Sequence, residues 1–259
     1  MAIDPDLVRA LHLVAEDRRG AAGDTAAAHH VFQTSTIAAV LDGRYDGEMT
    51  IGEVLAHGDL GLGTLHALDG ELIIIDGLAF VARPDGIVSA VPDDATTPFA
   101  VVTPFSPGSP VPLGDLDHVA LLATLDAHAP APVSAIRIDG RFRRLHLRSV
   151  PRQAPPYPTL TEVTGRQAEW EVADAPATVL GFRFPSEAAG LEAPGWHLHA
   201  ITADRATGGH VLAADIASGT ALFDGADEVH VELPPGVGLD TVDASVRADI
   251  ARAESPRSA

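Results

Sequence analysis

The chain has 259 residues, of which 46% are hydrophobic, and it carries a formal net charge of −19. This length and composition predict a globular protein with one large domain or two modest ones. A field this negative repels nucleic acids and anionic membrane surfaces, so neither is an expected partner. The sequence contains no cysteine and no lysine. These absences exclude disulfides, thiolate metal ligands, a thiol nucleophile, a lysine Schiff base and the lysine of a phosphate-binding loop.

The first part of the chain predicts short helices. Residues 1–30 predict a weak helix and a linker, with neither a secretory signal nor an apolar run of about 20 residues that could span a membrane. We therefore expect a cytoplasmic protein. The stretch STIAAVLDG predicts a helix that ends at Gly43. TIGEVLAHGD predicts another, with a capping box formed by Thr50 and Glu53 and a C-terminal cap at Gly58.

The pattern then changes to the two-residue period of β-strands. Asp-Gly pairs at 69–70, 76–77 and 85–86 separate short apolar runs, and such pairs favour tight hairpin turns. An antiparallel meander is the expected structure. TPFAVVTPF predicts a further strand and LGDLDHVALLATLDAH a helix. PVSAIRIDGRFRRLHLRSVP predicts another hairpin, which turns at Asp139-Gly140.

The second half of the chain is also predicted to be rich in strands. RQAPPYPTL contains too many prolines for a helix or a strand and predicts an ordered crossover. Strands such as TVLGFRFP follow, and DTVDASVRADIARAES predicts a closing helix capped by Asp240. The predicted class is α+β, with mostly antiparallel sheets and a few flanking helices. Two regions are expected, residues 1–155 and residues 156–259, packed as one compact unit.

Three histidines in PGWHLHAITADRATGGHVLAADI form the main candidate site. Because side chains alternate along a strand, His197 and His199 point to the same face. If residues 203–208 form a turn, residue 201 pairs with residue 210, and His210 lies on that face, diagonal to His199. Three imidazoles on one hairpin are typical of a catalytic zinc site with an open position, although copper, nickel and iron also suit nitrogen ligands.

The alternative for each histidine is an ordinary surface or hydrogen-bonded core role. The opposite face of the hairpin is expected to be core and consists of Trp196, Leu198, Ala200, Val211 and Ala213. The pair His29-His30 is a weaker metal candidate, because adjacent strand residues face opposite ways.

A carboxylate near the first Asp-Gly turn is a second candidate. A turn at 69–70 would set Leu68 opposite Glu71, so that Thr64, His66 and Glu71 share one face. The functional interpretation of Glu71 is a carboxylate beside the metal, as a ligand or a proton carrier. The alternative is a solvated carboxylate at the end of a strand.

An arginine in RRLHLRSVP is a third candidate. Arg144, His146 and Arg148 share one face of a strand, opposite Leu145 and Leu147. A guanidinium stays protonated and offers a forked pair of donors to a carboxylate, and Arg148 directly precedes the proline-rich crossover. A polar outer face of the hairpin is an equally good explanation.

Four segments match one known family in order and with similar spacing: STIAAVLDGRYDGEMTIGEVLAHGDLGLGTLHALDGELIIIDG, TPFAVVTPF, RSVPRQAPPYPTL and PGWHLHAITADRATGGHVL. On these segments the chain resembles bacterial alpha-acetolactate decarboxylases over nearly its whole length. The elements LGT…LDGE and HLH…GGH are specific in combination. Ala200 stands where a bulkier aromatic residue is expected, and GFRFPSEAAG departs from the usual form of its segment.

The resemblance implies a zinc-dependent, cytoplasmic and commonly dimeric carboxy-lyase that converts 2-acetolactate to acetoin and CO2. The resemblance also implies the site residues. The Zn²⁺ ligands would be His197, His199 and His210, and the essential carboxylate near the metal would be Glu71. Arg148 would be the active-site arginine, Thr64 a pocket residue and Glu254 the second essential glutamate.

The implied chemistry needs an acceptor for the electron pair that the departing CO2 leaves behind. A zinc ion chelated by the ketone and hydroxyl oxygens of the substrate would stabilise the resulting enediolate. Arg148 is expected to orient the carboxylate, and Glu71 or Glu254 to deliver the proton. The alternatives are another zinc-dependent lyase or hydrolase on the same scaffold, and a non-catalytic protein that binds a small ligand.

Overall fold

The computed structural model describes residues 12–15, 29–237 and 248–250. The strands in this part of the chain, numbered in order, are β1 (His12–Ala15), β2 (His30–Thr34), β3 (Met49–Thr50), β4 (Leu60–Thr64), β5 (Glu71–Ile75), β6 (Leu78–Ala82), β7 (Val88–Ala90), β8 (Thr96–Thr97), β9 (Phe99–Thr103), β10 (Val111–Leu113), β11 (Ser134–Ser149), β12 (Ala168–Phe184), β13 (Gly195–Thr202), β14 (Gly208–Gly225) and β15 (Glu228–Glu232). The α-helices are α1 (Ile37–Leu41), α2 (Ile51–Leu55), α3 (His118–His128) and α4 (Leu160–Thr164). The predicted α+β class with mostly antiparallel sheets is confirmed. None of the described helices has the length and apolar character needed to cross a bilayer.

The larger sheet has eight strands in the order β1-β15-β2-β9-β4-β5-β6-β7. Its strands pair antiparallel except at one edge, where β15 pairs parallel with both β1 and β2. The predicted meander is confirmed as β4 to β7. Its middle turn needs both residues of the Asp76-Gly77 pair in the left-handed region, with φ of 54° and 71°. This is the conformation that Asp-Gly pairs tolerate best.

The first Asp-Gly pair does not form the expected two-residue turn. A 3-10 turn over His66–Leu68 lengthens the connection, and Thr64 instead of Leu68 pairs with Glu71. The expected common face of Thr64, His66 and Glu71 is therefore wrong for His66. Its Nδ1 accepts a hydrogen bond from the backbone N–H of Gly47, at 3.0 Å.

The hairpin predicted at Asp139-Gly140 is also wrong. Both residues continue straight through β11, which runs for 16 residues. A Cβ on Gly140 would lie 2.6 Å from the carbonyl oxygen of Ser218 on the neighbouring β14. The glycine is thus needed because two strands approach closely, and this requirement produces the same sequence signal as a turn.

The second sheet closes on itself and encloses an apolar core. Its strand order is β10-β14-β11-β12-β13. Because β13 also pairs with β14, the four strands β11, β12, β13 and β14 form a closed ring. Buried side chains fill this ring and contact α3 through Leu121 and Leu125. The predicted regions 1–155 and 156–259 share this sheet, because β11 pairs with β12 and β14. The division into two regions stays a prediction.

A second core joins the two sheets. Ile73, Ile75 and Phe80 of the larger sheet belong to the same buried cluster as Phe182 and Ile201 of the smaller one. This packing brings the first residue of β5 against β13 and β14, where the histidines lie. The arrangement of the two sheets therefore determines which side chains meet at the candidate site.

The helices predicted at STIAAVLDG, TIGEVLAHGD and LGDLDHVALLATLDAH are present as α1, α2 and α3. Thr36 caps α1, and the capping box of Thr50 and Glu53 at α2 is confirmed. The C-terminal cap expected at Gly58 is wrong, because α2 ends at Leu55 and its C-cap is Ala56. A Cβ on Gly58 would lie 2.3 Å from the carbonyl carbon of Thr103, so the glycine again permits a close approach.

The termini are described only in part. The weak helix predicted over residues 1–30 is wrong for residues 12–15, which form β1 and pair with β15. Residues 248–250 are helical, as expected for the closing helix. Asp240, its predicted cap, lies outside the described residues.

We predict that Gly181→Ala destabilises the protein and displaces the histidine strand. Gly181 of β12 lies opposite Leu198, and a Cβ there would come within 2.0 Å of the carbonyl oxygen of His197. We expect the free energy of unfolding to fall by about 1–3 kcal/mol, as for other overpacked sites. Denaturant unfolding measures the change. Gly108→Ala is the matched control, because nothing lies within 4 Å of its Cβ position. It should be neutral or slightly stabilising, and equal effects of the two changes would contradict the strand contact.

Candidate metal centre

Three buried imidazoles converge at the junction of β13 and β14. His197, His199 and His210 are only 7%, 1% and 2% exposed, and their ring centroids lie 5.1–5.4 Å apart. One ring nitrogen of each lies within 4.8 Å of the others, which is close enough for all three to hold one metal ion. The prediction that they share one face of a hairpin is confirmed.

The register of this hairpin differs from the expected one. His199 pairs directly with His210, whereas the sequence predicted a diagonal arrangement. The turn is tighter because Thr202 and Asp204 close it. The Thr202 hydroxyl donates to Asp204 at 2.6 Å and accepts from the N–H of Thr207 at 3.1 Å. Direct opposition brings the two imidazoles closer than a diagonal pair would be.

The opposite face of the hairpin is core, with one correction. Leu198, Ala200 and Val211 are buried in the core of the smaller sheet, and Trp196 packs against it. The expectation for Ala213 is wrong. The pairing of β11 with β14 shifts after Val211, so the alternation changes phase and Ala214 takes the buried position instead.

Hydrogen bonds to the outer nitrogens orient two of the three rings. The Nδ1 of His199 donates to the carbonyl oxygen of Leu72 at 2.7 Å, and the Nδ1 of His197 lies 3.1 Å from a carboxylate oxygen of Glu192. In both rings the proton then lies on Nδ1, and Nε2 is the nitrogen that carries the lone pair. The Nε2 of His199 is buried and has no hydrogen-bond partner among the described residues. A metal ion would satisfy this atom, so the residues fit such an ion.

A buried ion pair lies beside the histidines. Glu71 and Arg148 are 6% and 5% exposed, and Nη1 of Arg148 donates to Oε1 of Glu71 at 3.1 Å. The other oxygen of Glu71 lies 3.6 Å from Nε2 of His199. Arg148 is also the cross-strand neighbour of His210. Glu71 is therefore a buried carboxylate next to the histidines and not a solvated strand end.

Only the end of β11 reaches the site. Arg144 and His146 face outward, where Arg144 bonds to Asp215 and Glu171 and His146 bonds to Glu169. The expected alternation is confirmed, because Leu145 and Leu147 fill the core of the smaller sheet. Arg148 is buried because the larger sheet covers the strand at this point.

The remaining sequence candidates differ in where they lie. His29 bonds to Asp224 at 2.6 Å, and His30 lies in β2, so this pair does not join the three histidines. Thr64 lines the site, and its hydroxyl donates to the carbonyl oxygen of Gly70 at 2.8 Å. Glu254 lies outside the described residues.

A cleft opens next to the histidines and the ion pair. It combines the polar side chains of the site with apolar ones from α1, α4 and the neighbouring strands: Ile37, Val40, Thr64, Leu68, Glu71, Phe99, Arg148, Val150, Leu160, His197 and His199. A mostly apolar cleft with a few convergent polar groups is typical of a small-molecule site.

Sequence reasoning missed one functional candidate, Glu192. Its side chain is fully buried and contacts His197. The available signal was a lone carboxylate in the apolar stretch AAGLEAPGW, five residues before a histidine candidate.

A buried three-histidine set beside a carboxylate–guanidinium pair, open to a cleft, is the constellation of a metal-dependent enzyme. Comparisons with known proteins agree. The family model for alpha-acetolactate decarboxylase matches residues 31–240. The alpha-acetolactate decarboxylase of Methylococcus capsulatus is 41% identical over 228 residues, which cover 86% of this chain and 85% of that protein. That of Raoultella terrigena is 38% identical over 240 residues, which cover 85% and 91% of the two chains.

The fold agrees as well. The crystal structure of alpha-acetolactate decarboxylase from Bacillus subtilis strain 168 superposes with a TM-score of 0.83 at 30% identity, and the match covers 88% of this chain and all of that one. The chain belongs to the alpha-acetolactate decarboxylase family.

We predict that the metal-free protein loses stability as the pH falls below about 6.5. Burial lowers the pKa values of His199 and His210 well below 6.5, and the charges of His197 and Arg148 lower them further. As the pH falls through 6.5, the unfolded chain binds protons at these two rings and the folded protein does not. These two rings therefore do not reduce the free energy of unfolding above pH 6.5. Below pH 6.5, each ring lowers the free energy of unfolding by up to about 1.4 kcal/mol per pH unit.

Denaturant unfolding between pH 7.5 and 5 in the presence of a chelator measures this loss. His210→Gln removes one of the two proton-binding rings and should give a shallower slope. A stability that is constant, or that rises toward pH 5, would contradict the burial of neutral imidazoles.

Proposed function

We propose that this chain catalyses the decarboxylation of 2-acetolactate, 2-hydroxy-2-methyl-3-oxobutanoate, to acetoin and CO2 with a zinc ion. Family membership supports the reaction. The observation that carries the proposal is the buried triad of His197, His199 and His210, in which Nε2 of His199 has no hydrogen-bond partner among the described residues. Such an atom costs free energy unless a ligand binds it.

The donor set favours zinc. Three imidazoles with no thiolate available suit a zinc ion that keeps one position open for a substrate. Burial keeps His199 and His210 neutral by lowering their pKa values, so both have lone pairs for a metal at pH 7. When bound, the ion supplies a Lewis acid that attracts electron density from the ketone and hydroxyl oxygens of the substrate.

Arg148 binds and orients the carboxylate that leaves as CO2. Its guanidinium is buried beside the histidines and is held by Glu71 at 3.1 Å. Heterolysis of the bond between the carboxyl carbon and its neighbour releases neutral CO2 and leaves the electron pair on the neighbouring carbon. The reaction takes up one proton for each CO2 released.

Glu71 is the proposed carrier of this proton. It lies at the start of β5, between Arg148 and His199, and it lines the cleft. Proton delivery from one side of the cleft would give acetoin a single configuration. Thr64 pairs with Glu71 across the strands and binds the carbonyl of Gly70, so its proposed role is to fix the chain where Glu71 begins.

Glu254 is the proposed second carboxylate. It follows the region matched by the family model, which ends at residue 240. The resemblance also carries the expectations of a homodimer and a cytoplasmic location, which light scattering and cell fractionation would test.

We predict that activity depends on the metal and its three ligands. Removing metal with a chelator should abolish acetoin formation from racemic acetolactate, and one equivalent of Zn²⁺ per chain should restore it. His210→Ala should remain inactive after zinc is added. A His210→Ala variant with full activity after metal removal would refute the metal's role. Turnover of simple esters instead of acetolactate would favour the alternative of a zinc-dependent hydrolase.

We predict that Arg148→Ala lowers kcat/KM by about 10²-fold or more, because the carboxylate loses the group that orients it. Arg144→Ala is the matched control. It removes the same side chain from the same face of β11, where the residue is half-buried, lies away from the histidines and bonds to Asp215 and Glu171. The control should keep nearly full activity. Equal losses in two folded, zinc-loaded variants would contradict a specific role for Arg148.

A further inference from the structure

The carboxylate of Glu192 is buried directly behind one of the metal-ligand candidates. Its side chain is fully enclosed, and its Oε1 accepts hydrogen bonds from the N–H of Ala193 at 2.7 Å and from Nδ1 of His197 at 3.1 Å. Its second oxygen, Oε2, is buried and has no hydrogen-bond partner among the described residues. Burying an ionised carboxylate in this way is costly unless a nearby positive charge compensates.

The backbone around Glu192 is fixed by the start of α1. The N–H groups of Ile37 and Ala38 donate to the carbonyl oxygens of Leu191 and Gly190, at 3.0 and 3.1 Å. The buried amide of Gln33 adds a bond of 2.7 Å to the Leu191 carbonyl. These three bonds hold the segment against β2 and α1, and the buried Glu192 side chain points from it toward His197.

That direction sets the orientation of His197. A carboxylate that accepts from Nδ1 fixes the tautomer with the proton on Nδ1 and leaves the Nε2 lone pair for the metal. It also makes the imidazole a stronger ligand. His199 is held in the same way by a neutral acceptor, the carbonyl of Leu72. Glu192 therefore adds a full negative charge at a place where a carbonyl would suffice for orientation alone.

The buried charges around the centre explain why a charged acceptor would be useful. With both carboxylates ionised, Glu71 and Glu192 bring two negative charges and Arg148 one positive charge, so these three side chains sum to one negative charge. A divalent cation reverses this sign, and the single carboxylate of a bound substrate then makes the group neutral. The net negative charge of the three side chains thus favours cation binding.

We propose that Glu192 is a positioning residue that acts through His197 and sets the affinity of the site for its metal ion. This inference rests on the proposed function, because it assumes that the triad binds a divalent cation.

The test compares Glu192→Gln and Glu192→Ala with the wild type and with Glu187→Gln. The glutamine keeps an acceptor oxygen but loses the charge, and the alanine loses both. Glu187 is the matched control because it lies in the same segment, is exposed and accepts a hydrogen bond from the neighbouring Ser186 hydroxyl. The first readout is the Zn²⁺ dissociation constant, measured by competition with a chromophoric chelator.

We expect Glu192→Gln to weaken zinc binding by about 10-fold and Glu192→Ala by up to about 100-fold, which is the range for groups that orient a metal-binding histidine. Glu187→Gln should leave the dissociation constant unchanged. The second readout is Tm with and without Zn²⁺. For Glu192→Gln, the metal-free Tm should stay the same or rise, while the increase in Tm on adding zinc should shrink.

Four outcomes would overturn the inference. Unchanged zinc affinity in a folded Glu192→Gln variant would show that the carboxylate does not act on the metal. Equal losses of Tm with and without zinc, or a metal-free variant that fails to fold, would assign Glu192 a structural role only. A wild-type protein that binds no zinc would refute the proposed function itself, and that failure is distinct because it is seen before any variant is made.

Discussion

The direct pairing of His199 with His210 is the constraint on which the rest of the site depends. It places two imidazoles opposite each other on β13 and β14, and the alternation of β13 adds His197 from the same side. The next strand, β11, contributes Arg148 as the neighbour of His210. Three adjacent strands therefore deliver the nitrogen ligands and a guanidinium, and ladder hydrogen bonds fix their spacing more firmly than a loop would. Gly209 permits this closeness, because a Cβ there would lie 2.8 Å from the carbonyl oxygen of Arg148.

The larger sheet gives this cluster its electrostatic character. It covers the histidine face, contributes Glu71 from the start of β5 and presents the Leu72 carbonyl to His199. Burial removes water from the imidazoles, so their pKa values fall and their lone pairs stay available to a metal. Burial also strengthens the attraction between the carboxylates and any cation that enters. The two-sheet core that stabilises the fold is thus also responsible for the chemistry of the site.

Much of this arrangement was predictable, because local patterns carry it. The spacing of the histidines predicted their shared face, and the Asp-Gly turns predicted the meander. Two of the failures share a physical cause. Gly140 and Gly58 are glycines because another backbone approaches them, and sequence alone cannot distinguish that requirement from a turn or a cap. The contact of Glu192 with His197 was missed because it depends on a segment held by α1 and β2, which are more than 150 residues away in sequence.

The central claim is that His197, His199 and His210 together hold one zinc ion, and anomalous diffraction from crystals of the zinc-loaded protein tests it most directly. The account predicts one strong zinc peak about 2.0–2.1 Å from a ring nitrogen of each histidine, with Nε2 as the contacting atom of His197 and His199. A peak bound by other side chains, or a triad without zinc in crystals whose metal content was verified beforehand, would contradict it.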